Sequence, residues 1–353
     1  MTTCEIGVQF NHSQQLPFVL YAKPNSDKIV ALLQNNSRIY RPSSENSGFV
    51  FAPFEGKESI LIADKHATVL VETVNPLQNL KDYVPDVTYS DKDKKVFETK
   101  VSKAVEAIKN DEFEKVVVSR KELVKIGGMA PYQLFQKLKA TYSDAFCYVF
   151  YHPKVGVWAG ATPEQFLKKS DLTLETVSLA GTQLYNENGT VWNQKEIEEQ
   201  QIVTDYIQKS LDENCTNLTI SEAFTQKAGN LVHLKSIIKG ELHSESEFVK
   251  VIQKLHPTPA VCGVPKDKAL KFIAAHEGYE RTFYTGYLGE WMKDYEWNTE
   301  KTSDLFVNLR CMKVSEKEAT LFIGCGITKD SNPEKEFLET VNKSQTMKRI
   351  LKD

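Results

Sequence analysis

Residues 282–328 read TFYTGYLGEWMKDYEWNTEKTSDLFVNLRCMKVSEKEATLFIGCGIT and contain three segments rich in aromatic and apolar residues. Polar turns separate these segments, which are TFYTGYLGEW (282–291), DLFVNLRCMKV (304–314) and ATLFIGCGIT (319–328). Such runs bounded by turn residues are typical of β-strands, and we interpret each segment as one strand. Because no helix separates them, we expect consecutive strands to pair in a mixed or antiparallel sheet.

Strands come in neighbouring pairs elsewhere in the chain as well, and helices stand between the pairs. AFCYVFYH (145–152) and VGVWAGAT (155–162) read as a strand pair, and TLETVSL (173–179) reads as a further strand. The polar residues 180–190 that follow it are expected to form a loop. We therefore predict an α+β fold, a single large domain in which mixed or antiparallel sheets form a sandwich-like core with helices packed outside.

The first 90 residues mix short β-branched and aromatic runs with turn signals, which indicates a meander of strands without recognisable chemistry. The sequence contains no linker that would divide the chain cleanly. We therefore interpret residues 1–90 as a variable, β-rich portion of one domain and residues 91–353 as the portion that carries the site.

The composition is that of a soluble globular protein, since 41% of the 353 residues are hydrophobic and 26% are charged. The net charge is -3, with Lys and Arg spread along the chain, so neither a nucleic-acid surface nor a polybasic membrane surface is expected. The first twenty residues lack the pattern of a leader, and no run is apolar and long enough to span a membrane. We expect a cytoplasmic protein whose six cysteines are buried and reduced.

Two predicted helices carry charged residues in phase with their apolar residues. These residues are Glu199 in the helix predicted over 195–212, and Glu336, Glu339 and Lys343 in the helix predicted over 331–351. A carboxylate on a buried face costs several kcal/mol unless it is paired or bound to a metal, and oxygen-rich sites of this kind hold Mg²⁺. The alternative is that these side chains form i,i+4 salt bridges on the surface. Periodicity alone leaves both readings open.

Further candidate residues lie at or near the ends of predicted strands. Lys115 begins KVVVSRK, where it is either a strand-end cation or a base whose pKa is lowered by desolvation. Glu164 in GATPE lies at a turn, and Arg310 lies in an apolar run, where it suits capture of a carboxylate or a buried salt bridge. Gly324 and Gly326 can present backbone N–H groups to an anion or mark a β-bulge.

Short motifs of better-known chemistries are missing from the sequence. It contains no dinucleotide, nucleotide or serine-hydrolase motif. His233 and His256 do not have the spacing of zinc ligands, and we interpret both as structural histidines with satisfied hydrogen bonds.

Taken together, the ordered segments resemble the chorismate-utilising enzymes, and among them the isochorismate synthases. The resemblance covers roughly residues 95–351 and rests on nine segments in the family's order: KVVVSRK, GATPEQF, LAGT, KEIEEQQIV, HPTPAVCG, YERTFYTGYLG, NLRCMKV, GCGIT and PEKEFLETVNK. It implies the chorismate-utilising enzyme fold and Mg²⁺-dependent isomerisation of chorismate to isochorismate, in which the hydroxyl moves from C4 to C2.

The resemblance also implies a role for each candidate residue. Lys115 matches the base that activates water, and Glu164 matches the acid that protonates the departing hydroxyl. The matches to substrate-binding positions are Gly181, Thr182, Arg310, Gly326 and Lys343. The matches to Mg²⁺ ligands are Glu199 and Glu339, with Glu336 as an auxiliary ligand.

Single positions separate this chain from the family's other activities. Aminodeoxychorismate synthases have a nucleophilic Lys where this chain has Ala180, and anthranilate synthases usually have Gln where it has Lys115 and draw ammonia from an amidotransferase partner. No amidotransferase subunit is therefore expected, and the family suggests a monomer. Salicylate synthases, which add pyruvate elimination, keep equivalents of Lys115 and Glu164 and stay open as an alternative, although HPTPA followed by Val261 resembles the isochorismate version.

The sequence departs from the family pattern at two positions, and a function of another class is still possible. Gln200 follows Glu199 where many members have His, and Gln183 follows AGT where a basic residue is common in the amino-transferring relatives. A non-catalytic chorismate-binding protein is the reading from another class, against which retention of both Lys115 and Glu164 argues. The sequence does not choose between menaquinone and siderophore biosynthesis as the destination of the product.

Overall fold

The structure is a computed structural model that describes residues 1–55, 58–74, 89–187, 189–228 and 231–351. Its α-helices within these residues are α1 (Thr3–Ser13), α2 (Asp91–Lys109), α3 (Pro131–Thr141), α4 (Gln194–Leu211), α5 (Glu247–Leu255), α6 (Lys266–His276) and α7 (Pro333–Leu351). Its strands are β1 (Phe18–Ala22), β2 (Lys28–Gln34), β3 (Gly48–Ala52), β4 (Ile60–Ala63), β5 (Ala67–Thr73), β6 (Lys115–Lys125), β7 (Phe146–His152), β8 (Gly156–Thr162), β9 (Gln165–Ser170), β10 (Thr173–Leu184), β11 (Cys215–Ile220), β12 (Phe224–Ala228), β13 (Leu231–Leu242), β14 (Gly263–Val264), β15 (Tyr287–Trp291), β16 (Lys293–Asp294), β17 (Thr299–Glu300), β18 (Thr302–Val307), β19 (Cys311–Val314) and β20 (Glu318–Ile327).

Two large sheets form the centre of the molecule. The first has the order β14-β6-β20-β19-β8-β7-β1-β2-β5, and the second has the order β11-β13-β10-β9-β18-β15-β3-β4 with β12 paired to β13. Each pairing in these sheets is antiparallel, for example β6 with β20 and β10 with β13. The predicted α+β class is therefore confirmed, and the sheets are antiparallel rather than mixed.

The sheets stack face to face with helices on both outer sides. One apolar cluster combines side chains of both sheets, such as Tyr21 and Trp158 of the first with Phe51 and Phe306 of the second. A second cluster packs α1, α3 and α7 on the outside of the first sheet, and a third packs α4 and α5 on the outside of the second sheet. This arrangement is the predicted sandwich-like core with helices packed outside.

The N-terminal strands divide between the two sheets. β1, β2 and β5 belong to the first sheet, whereas β3 and β4 belong to the second. The predicted meander is therefore wrong as a description of their order. Since β1 pairs with β7 and β3 pairs with β15, these strands extend sheets built from the later sequence. The prediction also omitted α1, which buries Cys4, Val8 and Asn11 on one face.

The segment 304–314 is not the single strand predicted from its apolar run. It forms β18 in the second sheet and β19 in the first, so the chain crosses between the sheets at residues 308–310. Asn308 holds this crossing, because its side chain accepts a hydrogen bond from the Tyr148 hydroxyl at 2.6 Å and donates one to the Phe283 carbonyl at 2.8 Å. Arg310 follows with a φ of 46°, which turns the chain sharply.

The predicted loop at 180–190 begins later than expected, because β10 continues to Leu184. The pairing with β13 shifts between Ala180 and Gln183, where one extra residue is accommodated as a β-bulge. Gly181 lies in this bulge with a φ of 70°, a conformation that glycine adopts without strain. The bulge directs this part of β10 toward the site described below.

Two further expectations concern the membrane and the thiols. Among the described residues, no helix has the length and apolar character required to cross a bilayer. The six cysteines are buried and unpaired, as predicted.

Candidate active site

A cavity lies between β6 and β20 of the first sheet and β10 and β13 of the second, bordered by α4 and α7. The structure brings eight of the ten predicted site residues to its wall: Glu164, Gly181, Thr182, Glu199, Arg310, Gly326, Glu339 and Lys343. Of the other two, Lys115 lies behind the wall and pairs with Glu199, and Glu336 lines a neighbouring cavity together with Glu339. Residues that are far apart in sequence therefore converge on one enclosed space.

Lys115 and Glu199 form a buried ion pair between β6 and α4. The Lys115 side chain is fully buried, and its Nζ lies 3.0 Å from Glu199 Oε1. Burial raises the pKa of Glu199, but Lys115 and then Lys195 outweigh this effect and hold the pKa below its ordinary value. Glu199 is therefore a carboxylate at neutral pH, stabilised inside the protein by its cationic partner.

Glu164 has a different environment, although it faces the same cavity. It lies between β8 and β9, where its backbone carbonyl accepts a hydrogen bond from the Val307 amide. Its side chain is buried, and this burial raises its pKa to about 7, even though Lys115, Arg310 and Lys343 act in the opposite direction. Glu164 is thus close to half protonated at neutral pH, which suits a general acid.

Each of the three helix glutamates is paired with its own lysine. Besides the pair of Glu199 with Lys115, Glu336 Oε1 lies 2.6 Å from Lys195 Nζ, and Glu339 Oε1 lies 2.6 Å from Lys343 Nζ. The i,i+4 salt bridge considered for α7 does form between Glu339 and Lys343, but at the wall of the cavity rather than on an open surface. The carboxylates therefore face inward, which is one of the two readings that periodicity left open.

The donor set suits Mg²⁺, although the present arrangement holds the carboxylates apart. In the described part of the chain, no three acidic, His or Cys side chains are gathered closely enough to hold a metal ion. However, Glu336 is almost completely buried, and its Oε2 atom has no hydrogen-bond partner among the described residues. Burial raises the pKa of Glu336, as does Glu339 beside it. A buried carboxylate oxygen without a partner fits a hard divalent cation, and the neighbouring Glu339 carboxylate offers a second oxygen donor.

Positive charge lines the part of the cavity near Glu164. Arg310 is placed there by the crossing between the sheets, and Lys343 Nζ is anchored by a 3.1 Å hydrogen bond to the Gly324 carbonyl. Burial lowers the pKa of Arg310 from its ordinary value, but a guanidinium stays protonated at neutral pH. The cavity therefore carries fixed cations suited to an anionic ligand.

Gly326 determines how closely β20 approaches the buried ion pair. A Cβ atom at this position would lie 2.1 Å from Glu199 Oε1 and 3.2 Å from Lys115 Cε. No residue other than glycine fits without moving the Glu199 carboxylate. From the sequence, Gly326 was explained either by a β-bulge or by an anion site. The structure gives a third reason for glycine at this position, which is the close approach of β20 to the side chains of Glu199 and Lys115.

Similarity to known proteins identifies the family of this chain. Residues 57–352 match the family described as chorismate binding enzyme. The chain belongs to this family. It is 28% identical over 309 residues to the salicylate biosynthesis isochorismate synthase of Pseudomonas aeruginosa, an alignment that covers 84% of this chain and 63% of that protein. The chain spans about half the length of several other curated relatives.

Two solved structures show how widely the fold of this family is shared. MenF, the menaquinone-specific isochorismate synthase from Escherichia coli, has a TM-score of 0.78 and 20% identity, covering 98% of this chain and 91% of MenF. Anthranilate synthase component I from Streptococcus pneumoniae has a TM-score of 0.68 and 18% identity, covering 94% of this chain and 89% of that one. Because differently named enzymes share the fold, the residues of the cavity must distinguish between activities.

Two residues of this family member were not recognised as site residues from the sequence. His233 was interpreted as a satisfied structural histidine, yet it lines the cavity, and its buried Nε2 has no partner among the described residues. Its Nδ1 lies 2.9 Å from the Gly181 carbonyl, to which it donates, and burial lowers its pKa to about 3. His233 is therefore neutral, with an acceptor nitrogen left free. Lys195 is the second of these residues, because its pairing with Glu336 depends on how α4 packs against α7. His256, by contrast, is structural as predicted, since its Nε2 donates to the carbonyls of Pro53 and Phe54.

Proposed function

We propose that the chain is an isochorismate synthase, which converts chorismate to isochorismate in a Mg²⁺-dependent reaction. The observation that carries this proposal is the placement of Glu164. It is a buried carboxyl group with a pKa of about 7, it faces a cavity that contains Arg310 and Lys343, and it interacts electrostatically with Lys115. A candidate proton donor and fixed cations thus face one space suited to an anionic substrate, and the candidate base Lys115 lies behind its wall.

Arg310 and Lys343 are proposed to bind the carboxylates of chorismate. Both are at the cavity wall, and neither can leave it easily, because Arg310 belongs to the crossing between the sheets and Lys343 is anchored to Gly324. Gly181, Thr182 and Gly326 contribute backbone to the same wall. Fixed cations of this kind orient a substrate before reaction, which contributes to the rate without further side-chain movement.

Lys115 and Glu164 are proposed to move the two protons of the reaction. Once its ion pair with Glu199 is broken and its ammonium group has released a proton to solvent, the neutral amine of Lys115 accepts a proton from water as the oxygen bonds to C2. The ring double bonds shift, the bond between C4 and its oxygen breaks, and Glu164 gives its proton to the departing hydroxyl. One water enters and one water leaves, so the net change is an isomerisation. Groups of this kind typically contribute about 10²- to 10⁴-fold each.

Glu199 and Glu339 are proposed as Mg²⁺ ligands, with Glu336 as an auxiliary ligand through its unpartnered Oε2. When bound, the ion would orient the ring carboxylate and withdraw electron density from the ring. Glu199, Glu339 and Glu336 are paired with Lys115, Lys343 and Lys195, respectively. Loading the site therefore requires these ion pairs to loosen.

The cavity supports this activity over those of the family's other branches. Ala180 is at the wall and offers no amine to act as a nucleophile, which disfavours aminodeoxychorismate synthesis. Lys115 stands where anthranilate synthases usually have Gln, so we propose no amidotransferase subunit, and we propose that the protein acts as a monomer in the cytoplasm. We further propose that residues 91–353 are the catalytic portion and that residues 1–90 complete the sheets of the same domain.

Product analysis tests the proposal directly. The purified chain is incubated with chorismate and Mg²⁺, and the products are separated chromatographically and identified by ultraviolet absorbance. Isochorismate without salicylate, formed only when Mg²⁺ is present and lost on addition of a chelator, is the expected result. Salicylate with pyruvate would instead indicate a salicylate synthase, and binding without turnover would indicate a non-catalytic protein.

A further inference from the structure

Lys195 lies beside all three glutamates proposed as metal ligands. It is in the first turn of α4, and its Nζ is 2.6 Å from Glu336 Oε1. Glu339 lines the same cavity as Lys195 and Glu336, and Glu199 follows Lys195 by about one turn on α4. The ammonium group of Lys195 therefore lies among the carboxylates that a bound cation would share.

The position of Lys195 also allows its side chain to move away from the carboxylates into solvent. Its side chain is 23% exposed, whereas Lys115 is fully buried and Lys343 is 11% exposed and anchored to Gly324. Lys195 lines a second, more open cavity beside the N-terminal parts of α4 and α7, together with Glu336 and Glu339. We call this second cavity the outer cavity. A long, flexible side chain at this boundary can leave the carboxylates and extend into water without disturbing the core.

We propose that Lys195 is the resident counter-ion of the metal-free centre and is displaced into the outer cavity when a divalent cation binds. This inference rests on the magnesium site of the proposed function and adds a residue that controls its loading. Lys195 stabilises the buried carboxylate of Glu336 while the site lacks metal, and it competes with the incoming ion for that carboxylate. The competition weakens metal binding to the free protein.

Calorimetric titration of the metal-free, full-length chain with Mg²⁺ tests the proposal without measuring turnover. The variant Lys195→Gln removes the competing charge and keeps a side chain of similar length. In this variant, Mg²⁺ no longer has to displace a charged hydrogen bond to Glu336. The Mg²⁺ dissociation constant of the variant should therefore be about tenfold lower than that of the wild type. Lys195→Arg retains the charge and should bind Mg²⁺ no more tightly than the wild type.

A matched control separates competition from a general change in charge. Lys335 lies on α7 and lines the same outer cavity, but in the described structure it is not within ion-pair distance of Glu336. Lys335→Gln therefore makes the same change in net charge and should alter the dissociation constant by less than about twofold. Equal tightening in Lys195→Gln and Lys335→Gln would overturn the proposal.

Thermal unfolding provides a second measurement. Without metal, Lys195→Gln should melt at a lower temperature than the wild type, because Glu336 loses its cation, and Mg²⁺ should raise its melting temperature by more than it raises that of the wild type. Unchanged or weaker Mg²⁺ binding by Lys195→Gln would overturn the role of Lys195 while leaving the proposed function intact. Absence of Mg²⁺ binding by the wild type would overturn both.

Discussion

Replacing Glu164 with Gln is expected to make the protein more stable at alkaline pH and nearly inactive. In the folded protein, burial raises the pKa of Glu164 from 4.5 to about 7. The folded state therefore holds a proton that the unfolded chain has released between these pH values, so the contribution of Glu164 to stability is greatest below pH 4.5 and is lost as pH rises through 7. The difference of about 2.5 between these pKa values, at 1.36 kcal/mol per pKa unit, corresponds to about 3 kcal/mol.

The side chain of Gln is neutral at every pH, so the variant does not lose stability through ionisation of a buried carboxyl group. Glu164→Gln should thus raise the free energy of unfolding by up to about 3 kcal/mol at pH 8.5, and by close to zero at pH 4.5. Denaturant titrations of the wild type and the variant at both pH values, with the slopes compared, measure this difference. Glu316→Gln is a suitable control, because Glu316 is exposed and the same chemical change there should have little effect at either pH.

Activity provides the other half of the prediction. Gln cannot donate the proton that the C4 hydroxyl requires, so turnover should fall by about 10²- to 10⁴-fold. Equal stability of wild type and variant at pH 8.5 would show that Glu164 is not held in a desolvated site, and a wild-type rate would show that it is not the acid. Either result refutes the reasoning from which its role was inferred.

Three further predictions follow from the same geometry. Lys115→Ala should abolish isochorismate formation, and it should lower the free energy of unfolding by about 3–5 kcal/mol, because Glu199 is left buried without a partner, while circular dichroism shows the fold retained. Gly326→Ala should lower kcat/KM by on the order of 100-fold, since its Cβ would meet Glu199 Oε1 at 2.1 Å; a rate equal to the wild type would contradict the close approach. In the wild type, kcat/KM plotted against pH should fall above about pH 7 as Glu164 loses its proton, and a flat alkaline profile up to pH 9 would exclude Glu164 as the essential acid.

The site was partly predictable because charged residues stood in phase with apolar ones. Glu199 shares a helix face with Val203, and both are buried in α4. Glu336 similarly shares α7 with Phe337, and both are buried. A carboxylate on such a face needs a partner, so periodicity and electrostatics singled out these residues, although they did not decide between a metal site and salt bridges. The start of α7 was predictable as well, because the Asn332 side chain accepts a hydrogen bond from the Lys335 amide, which is a local effect.

The remaining errors concern interactions between distant segments. The run from Asp304 to Val314 is continuous in apolar character, and the change of sheet within it depends on Asn308 bonding to Tyr148 and Phe283 from elsewhere in the chain. His233 was misjudged for the same reason, because only the bulge in β10 brings the Gly181 carbonyl to its Nδ1 and leaves Nε2 at the cavity. α1 carried a signal that could have been read, since Cys4, Val8 and Asn11 recur with helical spacing.

The three lysine–glutamate pairs connect the stability of the fold to the chemistry of the site. Lys115 with Glu199 joins β6 to α4, and Lys195 with Glu336 joins α4 to α7. These ion pairs hold α4 against two other elements and neutralise carboxylates that would otherwise be costly to bury. The proposed reaction needs the same carboxylates for a metal ion and needs the Lys115 amine free of its partner. Loading the site must therefore replace one set of interactions between these elements with another, so that substitutions at Lys115, Lys195 or Glu336 should change both the stability of the metal-free protein and the affinity for the ion.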